Sequence, residues 1–224
     1  VIRIEGVSHR YGDRVVLRDV DVALGESRVG VIGANGSGKS TLARLVNGLV
    51  QPTAGRVLVD GLDTASQGAA VRRRVGFVFS DPEAQIVMPT VAEDVSFSLR
   101  RHKLSRAERA ERVSQTLARF GLLPLRDQPA HLLSSGEKQL LALASVLVTD
   151  PSVLVCDEPT TLLDLRRSRE VVALLNGLDL QVVLVTHHLD LVADWPRVLV
   201  VDQGRVVVDA PGPRAVAEYR ALMG

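Results

Sequence analysis

Eight residues, Gly33-Ala34-Asn35-Gly36-Ser37-Gly38-Lys39-Ser40, fit the spacing G-x-x-x-x-G-K-[ST], whose chemistry is the gripping of phosphate. Glycines at 33, 36 and 38 let the backbone turn sharply and aim its N–H groups inward. The start of the following helix adds its dipole to this concave anion site. Lys39 then neutralises the outer phosphates and the Ser40 hydroxyl ligates a Mg²⁺ that bridges them, so a triphosphate fits. Farther along, Val153-Leu154-Val155-Cys156-Asp157-Glu158-Pro159 is an aliphatic run ending in two carboxylates. Ligands of open parallel sheets bind beyond the carboxyl ends of strands, so both acids should face the phosphates. Asp157 is suited to hold the magnesium, directly or through water, and Glu158 to polarise a water for in-line attack on the terminal phosphorus. In isolation the pair would read as a polar strand end; the phosphate cradle reverses that reading.

A third group lies at Leu133-Ser134-Ser135-Gly136-Glu137-Lys138-Gln139, ahead of an apolar helical run over 140–148. Ser134 and Glu137 have capping-box spacing, and capping alone accounts for it, stabilising the helix start by about 1 kcal/mol. A serine, a glycine and free N–H groups at a helix start also make a second phosphate site, for which a second copy of the chain could supply the phosphate.

These groups need elements to carry them. Residues 1–5 and 15–24 read as strands around a turn at Tyr11-Gly12-Asp13-Arg14. Residues 27–33 form a buried strand running into the glycine-rich loop, a helical pattern follows over 41–46, and 57–59 and 75–79 add strands. From about 91 to 149 the pattern is helical and rich in arginine, with Glu108 and Glu111 interleaved among Arg106, Arg109, Arg112 and Arg119. That reads as a solvated helix face, not a nucleic-acid surface. After Pro151, aliphatic runs at 153–156, 182–185 and 198–201 alternate with helical stretches near 167–175 and 189–193, which implies a parallel sheet. A single domain over 1–224 is expected, its core from about 1–90 and 150–224 and a helical subdomain from about 91–149.

Composition agrees. Lys and Arg number 27 against 26 Asp and Glu, a formal net charge of +1 that favours no polyelectrolyte partner, nucleic acid included. Aromatic residues are 3%, too few for base-stacking platforms. No apolar run reaches the roughly 18–20 residues of a spanning helix, and the opening residues lack the pattern of a signal peptide. Cys156 is the only cysteine, which excludes an intrachain disulfide and fits a reducing compartment, so a cytosolic setting is expected.

Together these residues resemble the nucleotide-binding subunit of the ATP-binding cassette (ABC) family over essentially the whole chain. Tyr11 resembles the adenine-stacking aromatic, Gly33 to Thr41 the Walker A loop, Leu133 to Gln139 the signature and Asp157-Glu158 the Walker B end. Thr161-Leu162-Leu163-Asp164 resembles the D-loop, and Thr186-His187 the switch histidine that grips the γ-phosphate; His188 reads as an ordinary structural or solvated residue. The resemblance implies an α/β fold: a P-loop NTPase core with a mixed and largely parallel sheet, an N-terminal antiparallel β subdomain and a helical signature subdomain. It implies ATP and Mg²⁺, and a head-to-tail dimer, with itself or with a second ABC ATPase. Each ATP would be sandwiched between one Walker A loop and the other subunit's Ser134, Ser135, Gly136 and Glu137.

Some positions depart from the family pattern. Ser135 stands where glycine is usual, Glu137 where glutamine is common, and Leu162 where a smaller residue is usual. Ser80 occupies the place of the Q-loop glutamine that touches magnesium and senses the membrane partner, which leaves Gln85, five residues later, as a candidate for that work. The stretches 81–87 and 90–95 resemble the energy-coupling-factor branch, importers of vitamins and transition-metal ions, and the chain length is closest to the biotin-uptake ATPases. The resemblance thus implies an ATP-hydrolysing motor bound peripherally to the cytoplasmic face of the membrane, serving biotin import. Its partners would be an integral-membrane coupling protein and a membrane substrate-binding subunit. The alternatives are an ATPase for another vitamin or for cobalt or nickel, a non-transport cassette, and an ATP-sensing module.

Overall fold

A computed structural model describes residues 1–224. Strands β1 (Ile2–Tyr11) and β2 (Arg14–Leu24) form an antiparallel hairpin. In β1 the buried Ile2 and Ile4 flank the exposed Arg3, the alternation expected of a sheet with one covered face. β4 (Ala54–Val59) pairs antiparallel with β1, and the two-residue β5 (Leu62–Asp63) with β4, giving a four-stranded sheet in the order β2-β1-β4-β5.

The second sheet has six strands in the order β10-β9-β3-β8-β7-β6. β3 (Arg28–Ile32) pairs in parallel with β8 (Gln181–Val185) and with β9 (Arg197–Asp202), and β7 (Val153–Asp157) pairs in parallel with β8. β10 (Arg205–Ala210) closes one edge antiparallel to β9, and β6 (Val75–Val78) closes the other. Every residue of β7 is buried, and so is all of β8 after Gln181, which is why both read as unbroken aliphatic runs without alternation. The carboxyl ends of the neighbours β3, β8 and β7 open onto the glycine-rich loop, Thr186-His187 and Glu158 respectively.

The helices are α1 (Lys39–Asn47), α2 (Gly68–Arg74), α3 (Val91–Ser98), α4 (Arg106–Arg119), α5 (Ser135–Leu147), α6 (Leu165–Asn176) and α7 (Gly212–Met223). They fall into two compact units. The first comprises Val1–Phe77, Ser152–Glu158 and Leu174–Gly224 and carries the sheets with α1, α2 and α7; the second comprises Val78–Pro151 and Pro159–Ala173 and is built on α3, α4 and α5. In the second unit α3 buries Val91 and Val95, α4 buries Val113 and Leu117, and α5 buries an unbroken stretch from Leu141 to Ser145.

Besides the unexpected β10 and α7, two details differ from the sequence reading. The helical stretch near 189–193 is only a 3₁₀ turn, Leu189–Leu191, too short a segment before Pro196 to offset the cost of nucleating a helix. In the arginine-rich helix α4, Arg112 is not merely solvated: its Nε donates to Val148 O at 2.8 Å and so serves the carboxyl end of α5.

Candidate nucleotide site

β3 delivers the chain into the 33–38 loop, and two glycines there have no substitute. Gly33 has φ 151°, and a Cβ on it would fall 2.1 Å from Val201 O; Gly38 has φ 110°, and a Cβ would fall 2.8 Å from Leu17 Cδ2. Gly38 is also the N-cap of α1, and no side chain caps that helix. By contrast α3, α4 and α5 each begin with a capping box, formed by Thr90 and Glu93, by Ser105 and Glu108, and by Ser134 and Glu137. The first-turn N–H groups of α1, which follow the glycine-rich loop, are therefore open to an anion.

Lys39 is 5% exposed, and its Nζ donates to Gly33 O at 2.8 Å and to Ala34 O at 2.9 Å. Burial lowers its pKa from the ordinary lysine value, against the opposing pull of Glu158 and Asp157. Asp157, at the end of β7, is 2% exposed; its Oδ1 accepts the Ser40 hydroxyl at 2.7 Å, and its Oδ2 lies 3.7 Å from Arg44 Nη2. Ser40 and Asp157 thus present adjacent hard oxygen donors of the kind Mg²⁺ prefers, and could hold that ion.

Glu158 follows with φ 54°, a left-handed conformation uncommon for a residue with a side chain. Its N–H continues the ladder to Val185 O at 2.9 Å. Its Oε2 lies 2.7 Å from His187 Nδ1 and accepts the His187 backbone N–H at 3.3 Å. The His187 ring lies against that of His188, centroids 4.1 Å apart. Tyr11 is 48% exposed and meets His9 edge-on, centroids 4.6 Å apart. A hollow of about 260 Å³ is lined by Tyr11, Arg14, Val16, Gly36, Lys39 and Thr41. Asn35 is exposed on the loop, and the buried Ser37 hydroxyl has no hydrogen-bond partner. The structure thus brings together Lys39, Ser40 and Asp157, and, as a second cluster, Glu158 and His187. Sequence reasoning missed Arg14 and Arg44. Arg14 opens β2 three residues after Tyr11, and Arg44 stands four residues, one helical turn, beyond Ser40, a spacing that could have found it.

In the second unit, the start of α5 is a closed capping box. Glu137 Oε2 accepts the Ser134 N–H at 2.8 Å and the Ser134 hydroxyl at 2.7 Å, which holds the Glu137 pKa below the usual carboxylate range. Ser135 is exposed and Gly136 half-buried. Asp164 Oδ1 accepts the Arg167 N–H at 2.8 Å at the start of α6, and Leu162 is exposed. Ser80 is exposed, whereas Gln85 is committed at both ends: its Oε1 accepts the Phe79 N–H at 3.1 Å and its Nε2 donates to Ala142 O at 3.3 Å. Two further ties reach the same loop. Lys138 forms an ion pair with Glu83. The buried Asp94 accepts the N–H groups of Val87 and Met88, at 2.8 and 3.0 Å, and the Ser145 hydroxyl at 2.7 Å. Beside this loop lies a hollow of about 480 Å³ lined by Glu83, Ile86, Val87, Met88, Ala130 and Lys138.

A phosphate loop, a strand-end acid pair and a mixed sheet are the marks of a P-loop NTPase. The family model of the ABC transporter matches residues 17–161, and the chain belongs to that family as its ATPase, which couples ATP hydrolysis to transport. The biotin transport ATP-binding protein BioM of Rhizobium etli is 47% identical over 221 residues, which cover 99% of this chain and 98% of that protein. The energy-coupling factor transporter ATP-binding protein EcfA1 of Symbiobacterium thermophilum is 43% identical, covering 90% of this chain and 76% of its own length. Among solved structures, cbiO1 from Clostridium perfringens, part of the ABC transporter complex cbiONQ, superposes with a TM-score of 0.87 at 32% identity, covering 100% of this chain and 93% of that one. No helix of the chain is long and apolar enough to cross a membrane.

Proposed function

We propose that this chain is the ATP-hydrolysing motor of an energy-coupling-factor importer, held peripherally at the cytoplasmic face of the membrane, and that its cargo is biotin. The observation that carries the motor reading is the pairing of Glu158 with His187 at the same carboxyl end of the sheet as Lys39, Ser40 and Asp157. The cargo reading is supported by the likeness to BioM, and the importer class by the likeness to EcfA1.

On this reading Tyr11 stacks on adenine, and the loop N–H groups with those of Ser40 and Thr41 hold the phosphates. Lys39 gives up the Gly33 and Ala34 carbonyls for phosphate oxygens. Ser40 and Asp157 would hold Mg²⁺, which would supply positive charge to offset the negative charge of the phosphates. Glu158 takes the proton of the attacking water, and His187 orients the Glu158 carboxylate and bonds the γ-phosphate. A second copy, or a second ABC ATPase, contributes Ser134, Ser135, Gly136 and Glu137 to the far side of the nucleotide, with Asp164 lining the shared boundary. Gln85 braces the 80–88 loop from within, while Ser80 is exposed at the start of that loop. The hollow beside that loop takes a cytoplasmic helix of the integral-membrane coupling protein, which works with a membrane substrate-binding subunit.

The test is Glu158→Gln in the assembled complex. ATP should bind with unchanged affinity, hydrolysis should fall about 100- to 10,000-fold, and the nucleotide-bound subunits should stay paired. Unchanged turnover would remove Glu158 as the base. For the cargo, proteoliposomes containing the whole complex should accumulate labelled biotin only with ATP; ATP-driven uptake of a different vitamin or of a metal ion, and none of biotin, would overturn that part.

A further inference from the structure

On the head-to-tail reading, the start of α5 receives a triphosphate carried by a second copy. Glu137 makes that a difficult place for an anion. Its carboxylate is kept ionised by Ser134, and it stands in the first turn, where the helix would otherwise present only N–H groups. A site of this kind attracts phosphate only if a cation stands beside the acid. Lys138 is in the same turn, but it is committed to Glu83 and its side chain is only 15% exposed.

Arg167 is the group placed to do it. Its Cγ, Cδ and Nε lie 3.6–3.8 Å from the position a Cβ on Gly136 would occupy, so the side chain lies along the turn that carries Gly136 and Glu137. It is anchored at both ends: its N–H is taken by Asp164 Oδ1, and its Nη1 pairs with Glu170 Oε2 at 2.8 Å. Its side chain is nonetheless 54% exposed, and a guanidinium has five donors, of which Glu170 Oε2 takes one. Its charge also helps to hold Glu137 ionised.

We propose that Arg167 completes the second phosphate site at the start of α5, its guanidinium offsetting the Glu137 carboxylate so that a nucleoside triphosphate held by a second copy is attracted there. This rests on the head-to-tail reading, and the experiment separates the two. In a Glu158→Gln background, ATP-driven pairing of the full chain is measured by sedimentation, and ATP binding by the unpaired chain at dilute protein concentration. Arg167→Ala should raise the dissociation constant of the pair at least about tenfold, and Arg167→Lys by less than about threefold, with ATP affinity of the unpaired chain unchanged. Adding Glu137→Gln to Arg167→Ala should recover most of the loss, a rescue that a packing role would not produce. Pairing as tight in Arg167→Ala as in its parent, or a loss that Glu137→Gln leaves unrepaired, would overturn the proposal. Glu158→Gln that stays unpaired in saturating ATP would overturn the head-to-tail reading itself, and this assignment with it. Equal thermal midpoints for all variants establish that the fold is intact.

Discussion

Lys39→Met keeps the length of the side chain and removes its ammonium, and the structure sets the size of the effect. Nζ donates to Gly33 O at 2.8 Å and to Ala34 O at 2.9 Å, so a triphosphate does not meet a free cation; it must win two donors away from carbonyls. Hydrogen bonds to charged groups contribute about 1.5–3 kcal/mol, and an anionic oxygen takes the upper part of that range against a neutral carbonyl. The exchange therefore gains about 1–1.5 kcal/mol per bond. Without the ammonium, the two carbonyls also face the phosphate oxygens unpaired, which costs about 1 kcal/mol more. The total is about 3–4 kcal/mol, roughly a 100- to 1,000-fold loss of ATP affinity, read by titration calorimetry with Mg²⁺ present. The same burial that lowers the lysine pKa is a cost to the folded chain, so Lys39→Met should melt no lower than its parent. A loss of affinity under about threefold in a fully folded variant would refute the reasoning, because the ammonium would then not be exchanging partners with phosphate.

Asp94→Ala strips the acceptor from the Val87 and Met88 N–H groups and from the Ser145 hydroxyl, and should cost about 2–4 kcal/mol in urea unfolding; a cost below about 0.5 kcal/mol would mean water replaces the carboxylate freely. Ser134→Ala should cost about 1 kcal/mol at pH 7 through loss of the α5 cap. Because Ser134 lowers the folded-state pKa of Glu137, the cap contributes fully above the unfolded carboxylate pKa and is lost as pH falls through the lower folded value. The melting points of parent and variant should therefore converge in acid, and a constant gap would show that the Glu137 charge plays no part.

Much of the fold was legible because its buried strands are short aliphatic runs with polar ends: 153–156 and 182–185 lie inside β7 and β8, and the glycine-rich loop follows β3. The final hairpin strand β10 and helix α7 escaped because Arg205-Val206-Val207-Val208 lacks a clean alternation and α7 opens on Gly212-Pro213, residues that read as a turn. Of the site, types and spacing located Lys39, Ser40, Asp157 and Glu158, since each stands at or just past a strand end or in the first turn of a helix. They could not show the bonds that tie Ser40 to Asp157 or His187 to Glu158, which depend on strand neighbours far apart in the chain. Gln85 illustrates the same limit: its position suggested reach, but its amide is held by Phe79 and Ala142 within the second unit.

The pairing of β7, β8 and β3 has a consequence for quality control of the molecule. Asp157 stands opposite Val185 and Val31 opposite the same residue, and one rung beyond, Glu158 N–H bonds Val185 O while Thr186 N–H bonds Val31 O. A slip of one residue in either interface would turn the acid or the imidazole to the wrong side of the sheet. If Glu158 and His187 carry the reaction as proposed, turnover would therefore depend on the alignment of three strands drawn from distant parts of the chain.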